Sequence, residues 1–205
     1  MLKIFKPMKH NIIKAALVAA VMALSGCNDA PGSADTTAKT VSVAAISVEA
    51  KGFTVGSPMS ARTVYVFFDP QCSHCAALWE SAKPLKTQAK FIWIPISFGS
   101  GASAAQGATL LAAQDPVAAM EAHEVSMRAG QGGISAGSDI ETQRAMVTKN
   151  TALMNRFGFN AVPVIVAKHA LTGELVTQEG TAPTAALATL LGLEVPASQP
   201  DLQPK

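Results

Sequence analysis

Cys72-Ser73-His74-Cys75 is the segment of this 205-residue chain best equipped for chemistry. A thiolate in a Cys-x-x-Cys pair can attack a disulfide of another molecule, and the second cysteine can then release the adduct. The same spacing also serves as half of a zinc site or as a structural bridge. Zinc takes four ligands, commonly with a second Cys or His pair at matching spacing, and no such pair exists here. His123 and His169 lie far apart, and each reads as a surface or packed histidine. A bridge across so short a loop adds little by constraining the unfolded chain. Disulfide exchange is therefore the leading reading, with no metal and no other cofactor. The alternative is a non-catalytic binding lipoprotein whose Cys72–Cys75 bridge only stabilises the fold.

The elements around the pair must make the two thiols unequal. Thr63 to Phe68 (TVYVFF) is a β-branched and aromatic run that predicts a buried strand, stopped by Asp69-Pro70. A helix follows from Ser73 or His74, carrying Ala76, Ala77, Leu78, Trp79 and Ala82 until Pro84 kinks or breaks it. Cys72 thus falls at a helix N-terminus, where partial positive charge and free N–H groups stabilise a thiolate. Cys75, one turn in, is shielded. Cys72 is accordingly the attacking thiol and Cys75 the resolving one, while a protonated His74 adds positive charge beside Cys72. A stabilised thiolate favours the reduced form, so the pair is expected to be more oxidising than a cytosolic reductant.

A second strand is expected at Phe91 to Ser97 (FIWIPIS), with Pro95 marking an edge or a bulge, which completes a βαβ-like unit of an α/β protein. Upstream, VSVAAISV and FTV add a small strand or helix. Residues 101–157 have helical composition and read as an insertion, with Asp115-Pro116 as an N-cap and first helical position. Gly130 to Gly137 reads as a flexible break within it. Strands return at Val162 to Lys168 and Leu175 to Gln178, joined by a turn at Thr172-Gly173. A last helix fits Pro183 to Leu191, with Gly192 as its stop and a loose tail over 193–205.

The first 26 residues have the parts of an export signal: Lys3, Lys6, Lys9 and Lys14 precede an apolar run from Ala15 to Leu24. That run is short for a membrane span, which needs about 20 apolar residues, so cleavage is expected. Leu24-Ser25-Gly26-Cys27 is similar to a bacterial lipobox, with Cys27 as the lipidated residue and 27–40 as a polar tether. Lipidation also accounts for the odd cysteine among three. The signal holds four of the 16 Lys and Arg residues, so without it the formal charge falls from +2 to −2. The remaining basic residues are scattered, which excludes a nucleic-acid surface.

The stretch VYVFFDPQCSHCAALWESAKP resembles the active-site strand and helix of the periplasmic Dsb thioredoxin-fold proteins, in particular the DsbC and DsbG branch. Asp69-Pro70, Cys72, Cys75, Trp79, Ala82 and Pro84 carry the match. LLAAQDP (Leu110 to Pro116) and NTALMNRFGFNAVPVIV extend it, so it covers roughly residues 63 to 192 and is nearest to the DsbG catalytic domain. The resemblance implies a thioredoxin-like fold over 41–192 with an inserted helical subdomain at about 101–157. It implies Pro163 as a cis-proline against the Cys-x-x-Cys, exposing the backbone of Val162 to a substrate strand. An X-Pro bond alone allows cis at small cost. The implied activity is thiol–disulfide interchange in the periplasm, on cysteines of exported proteins. A membrane electron donor or acceptor would set its direction as reductase, isomerase or oxidase, and the lipid on Cys27 would hold it to the inner or outer membrane.

The chain departs from that branch in three ways. About 35 residues separate Cys27 from Thr63, too few for the branch's N-terminal dimerisation domain. Ser73-His74 replaces its usual dipeptides, with His74 similar to the DsbA oxidase. Val162 stands where the branch usually has threonine, and it too is similar to DsbA.

Overall fold

In the computed structural model, which describes residues 40–197, the chain alternates short helices and strands around one mixed sheet. The export signal, Cys27, all but the end of the tether, and the last residues of the tail lie outside the described residues. Helix α1 (Val43–Glu49) leads into strand β1 (Phe53–Gly56), β2 (Thr63–Phe68), α2 (Ser73–Ala82) with a 3₁₀ turn at Lys83–Leu85, and β3 (Lys90–Pro95). Three helices follow, α3 (Gly101–Ala112), α4 (Pro116–Arg128) and α5 (Glu141–Arg156), and then β4 (Val164–Lys168), β5 (Leu175–Glu179) and α6 (Thr184–Leu191).

The sheet order is β1-β3-β2-β4-β5, with β2 and β3 parallel and the other neighbours antiparallel. Side chains alternate between faces along a strand, and here both faces are covered. Val64, Val66, Phe68, Trp93 and Ile165 pack with Leu78 and Trp79 of α2 and Leu187 and Leu191 of α6. Tyr65, Phe67, Ile94, Val164 and Val166 pack on the other side with Ile46 of α1 and Leu153 and Met154 of α5. This is why TVYVFF lacks a polar alternation: five of its six residues are buried. Trp79 and Trp93 meet edge to face at 5.0 Å between ring centroids, and Phe68 extends the aromatic stack from Trp93 at 5.5 Å.

Several local signals act as expected. Asp115 accepts hydrogen bonds from the N–H groups of Val117 and Ala118 ahead of Pro116, and Gly192 closes α6 at φ 68°. The segment 41–48 becomes helix α1 because Ser42 caps it, accepting from the Ala45 N–H at 3.2 Å.

Two expectations are corrected. Pro95 marks no bulge and β3 is no edge strand, but the proline is its last residue, opposite Phe68 of β2 and past Trp93, where the pairing with β1 ends, so it has a strand partner on one side only. Pro95 has no N–H to offer, and the ladder resumes with Ile96 N–H donating to the Phe68 carbonyl at 2.8 Å. The glycine-rich segment after α4 is no free break. Gln106 Nε2 donates to the carbonyls of Gly132 and Ile134, Ser126 Oγ to that of Gly133, and Gly137 N–H to Thr109 Oγ1. The inserted helices are pinned back by Gly107, where an added Cβ would lie 3.0 Å from Pro95 Cβ and 3.3 Å from Val147 Cγ2. Buried Asn150 of α5 bonds both backbone groups of Lys51 and the Pro95 carbonyl.

Candidate active site

The turn that joins β2 to α2 is built by Asp69. Its backbone carbonyl accepts the Cys72 N–H at 2.9 Å, and its carboxylate accepts from Gln71 N–H at 2.8 Å and Phe98 N–H at 3.0 Å. One buried carboxylate thus fixes both the loop before the helix and the loop after β3. Cys72 is the N-cap residue of α2, with extended backbone angles and no side-chain capping bond. Its own carbonyl accepts the N–H groups of Cys75 and Ala76. The helix-end position expected from sequence is therefore the one observed.

The two thiols are free and differ in setting: Cys72 is half-buried and Cys75 is 1% exposed. The Cys72 thiol is pulled down to about 6, first by the hydrogen bond from the Cys75 thiol. Partial burial opposes this, while the backbone N–H groups of Cys75 and His74 and, last, the His74 charge assist. Cys75 is pushed strongly upward, chiefly by burial and then by its bond to Cys72 and that thiolate's charge. His74 and Ser73 sit exposed in the first turn, and the Ser73 side chain has no partner among the described residues.

Across the site the Val162–Pro163 bond is cis. The Cys72 thiol lies 3.7 Å from the Val162 carbonyl oxygen, and the Pro163 carbonyl accepts the Gly180 N–H. The Val162 N–H has no partner among the described residues. Phe98, 48% exposed, follows the loop tied down by Asp69. Fold and sequence spacing thus bring Cys72, Cys75, His74, Ser73, Val162 and Pro163 to one place.

Sequence spacing does not reveal the polar groups behind this place. His123, read as surface or packed, is fully buried and sits 2.8 Å from the Pro70 carbonyl through Nε2. Gln71 bonds to Gln106 and to the Gly132 carbonyl, and reaches Met127 Sδ at 3.7 Å. Glu124, next to His123, is buried with Oε2 unpartnered among the described residues. Burial pushes its carboxyl up to about 7, with Glu80 and Glu121 adding to the rise and Arg128 and Lys83 opposing it. These contacts span 35 to 61 residues of sequence, and no local pattern announces them. Among the described residues no group of three or more His, Cys, Asp or Glu side chains could hold a metal ion.

A half-exposed thiol that ionises near neutrality, backed by a buried thiol within hydrogen-bond reach, can pass a disulfide in either direction. The thioredoxin family model matches residues 49–183. Over 136 residues the chain is 33% identical to the thiol:disulfide interchange protein DsbG of Pseudomonas aeruginosa, covering 64% of this chain and 51% of that protein. It is 30% identical over 105 residues to the Escherichia coli protein of the same name, covering 50% and 42%. The chain spans about half the length of these curated relatives, or less. Among solved structures, the catalytic domain of Proteus mirabilis ScsC superposes with a TM-score of 0.54 at 16% identity, covering 72% of this chain and 91% of that one. A disulfide interchange protein from Neisseria gonorrhoeae does so with 0.52 at 23%, covering 69% and 94%. Both structural likenesses concern the fold.

Proposed function

From the premise that the chain belongs to the thioredoxin family, as a Dsb-type disulfide interchange protein related to DsbG, we propose that it is a thiol–disulfide oxidoreductase of the periplasm acting on cysteines of exported proteins. The observation that carries this reading is the Cys72 thiol, half-buried at the N-terminus of α2 and lowered to about 6 by the Cys75 thiol behind it.

In the reducing direction, the Cys72 thiolate attacks a client disulfide, forming a mixed disulfide and expelling one client thiolate. Cys75 then loses its proton and attacks Cys72 Sγ, which breaks the mixed bond and releases the second client thiolate. Two electrons pass to the client and the pair is left as a disulfide; the oxidising direction is the reverse. Val162 offers an unpartnered N–H, with its carbonyl at Cys72, as the rail on which an extended client segment aligns. A low Cys72 pKa favours the reduced pair, so its disulfide is readily given away, and the membrane partner that reloads the pair sets the net direction. The lipobox-like Leu24-Ser25-Gly26-Cys27 supports lipid attachment at Cys27, which would hold the enzyme at a membrane.

A purely structural bridge is less well supported, because it gives no reason for a half-exposed, acidified Cys72. The test is trapping in cells: Cys75→Ala should accumulate mixed disulfides to exported proteins, and Cys72→Ala should not. Equal trapping by both variants, or by neither, would sink the reading. Alkylation of the native pair in cells then reads the direction, a mainly oxidised pair marking a disulfide donor and a mainly reduced one a reductase or isomerase.

A further inference from the structure

We propose that His123 is a positioning residue for the redox pair, its imidazole latching the inserted helices to the Asp69–Cys72 turn that presents the attacking thiol. This rests on the redox reading of Cys72 and Cys75. The ring is fully buried and both of its nitrogens are engaged. The Pro70 carbonyl, 2.8 Å from Nε2, can only accept a hydrogen bond, and the Ile134 backbone N–H, 3.2 Å from Nδ1, can only donate one. These partners fix a neutral ring with its proton on Nε2. Burial, which holds the histidine below its ordinary pKa, agrees with that state.

The latch has a built seat. Gly133 lies against the ring at φ +89°, and a Cβ there would overlap His123 Cε1. Gln106 holds the same loop through the Gly132 and Ile134 carbonyls, and Gln71 bonds both Gln106 and Gly132. Pro70 and Gln71, the two residues before Cys72, are therefore clamped from α3, α4 and the glycine-rich loop together.

The consequence for Cys72 follows from the turn. The Cys72 N–H closes onto the Asp69 carbonyl at 2.9 Å, so the Pro70–Gln71 peptide lies inside a tight turn whose tilt sets where Cys72 stands over the N–H groups of His74 and Cys75. Freeing the Pro70 carbonyl leaves that peptide held by its Gln71 N–H on the Asp69 carboxylate alone, which lets it tilt about that bond. A buried carbonyl left unpaired drives the tilt, since it seeks another donor. The thiolate then loses alignment with its donors.

The experiment compares the full chain with His123→Leu and His123→Gln, measuring the Cys72 pKa by thiolate absorbance and the equilibrium with glutathione. Leu removes both bonds. Gln can donate to Pro70 and accept from Ile134. His123→Leu is expected to raise the Cys72 pKa and to lower the reduced fraction, changing the glutathione equilibrium constant by roughly three- to tenfold, as a lost hydrogen bond would. His123→Gln is expected to restore both values. A folded Leu variant with unchanged values, or a folded Gln variant as perturbed as Leu, overturns the proposal. Nitrogen NMR of the native chain supplies a readout that needs no variant: the proton is expected on Nε2 of His123, and a proton on Nδ1 overturns the latch. A native chain inert towards glutathione would instead overturn the redox reading on which the latch depends.

Discussion

Cys75 acts on Cys72 in the resting pair, ahead of the resolving step proposed for it. Its thiol is the largest cause of the lowered Cys72 pKa, ahead of the helix-end N–H groups and of the His74 charge. Sequence reasoning named the helix end and, in addition, the His74 charge, because both are visible in a motif and a shielded donor is not; the structure sets the Cys75 thiol ahead of both. Cys75→Ala should therefore raise the Cys72 pKa from about 6 well towards its ordinary value of 9.0, whereas His74→Leu should raise it by a smaller step. The sign is fixed by chemistry: losing a donor to a thiolate destabilises the charged form. The rate of iodoacetamide labelling against pH measures both. The wild-type midpoint is expected at about pH 6, and a larger shift in His74→Leu than in Cys75→Ala would reverse the ranking.

At the scale of elements, the strands and the active-site helix were legible in the sequence because each carries its own boundary signals. Asp69-Pro70 ends β2, Pro84 marks the change from α2 to the 3₁₀ turn, and Gly192 ends α6. What stayed hidden depends on partners far along the chain. Pro95 suggests an edge strand until β1 is seen to pair with the outer side of β3 as far as Trp93, which leaves the proline just past the two-sided part of the strand. The glycines after α4 suggest slack until Gln106 and His123 are seen to hold them. Gly107 is the clearest case, since a glycine inside a helix costs about 1 kcal/mol relative to alanine and needs a compensating reason. The reason is contact: a methyl group here would press on Pro95 Cβ at 3.0 Å and Val147 Cγ2 at 3.3 Å, closer than ordinary van der Waals contact, so these neighbours would have to give way. Gly107→Ala should thus destabilise the protein by about 1–3 kcal/mol through overpacking, despite its better helix propensity. Thermal unfolding checks this, with a midpoint lowered by roughly 2–4 °C for each kcal/mol in a protein of this size. A raised midpoint would show that α3 has room to give.

For the molecule as a whole, Glu124 makes stability depend on pH in a direction opposite to that of most carboxylates. Its folded pKa stands at about 7, against an ordinary 4.5, because it is buried with one oxygen unpartnered. A raised folded pKa means that the folded state holds the proton more tightly than the unfolded chain. The stabilisation is fully present below about pH 4.5 and is lost as pH rises through about 7. The amount at stake is on the order of 3 kcal/mol. Glu124→Gln keeps a neutral, similarly shaped side chain, so it should flatten that part of the stability profile and gain on the wild type at pH 8. Denaturant unfolding at pH 5 and pH 8 tests it: equal pH dependence in both proteins would mean that Glu124 is not the titrating group. The aromatic stack gives the molecule something else. Its two tryptophans, Trp79 and Trp93, are the only ones in the chain, and they sit 5.0 Å apart with Trp79 one turn beyond Cys75 on the same helix. All of the indole emission therefore originates at one coupled pair beside the thiols. Thiol oxidation and loss of the core both change that pair's surroundings, so light emitted by the unmodified protein reports on its chemistry without dye or tag.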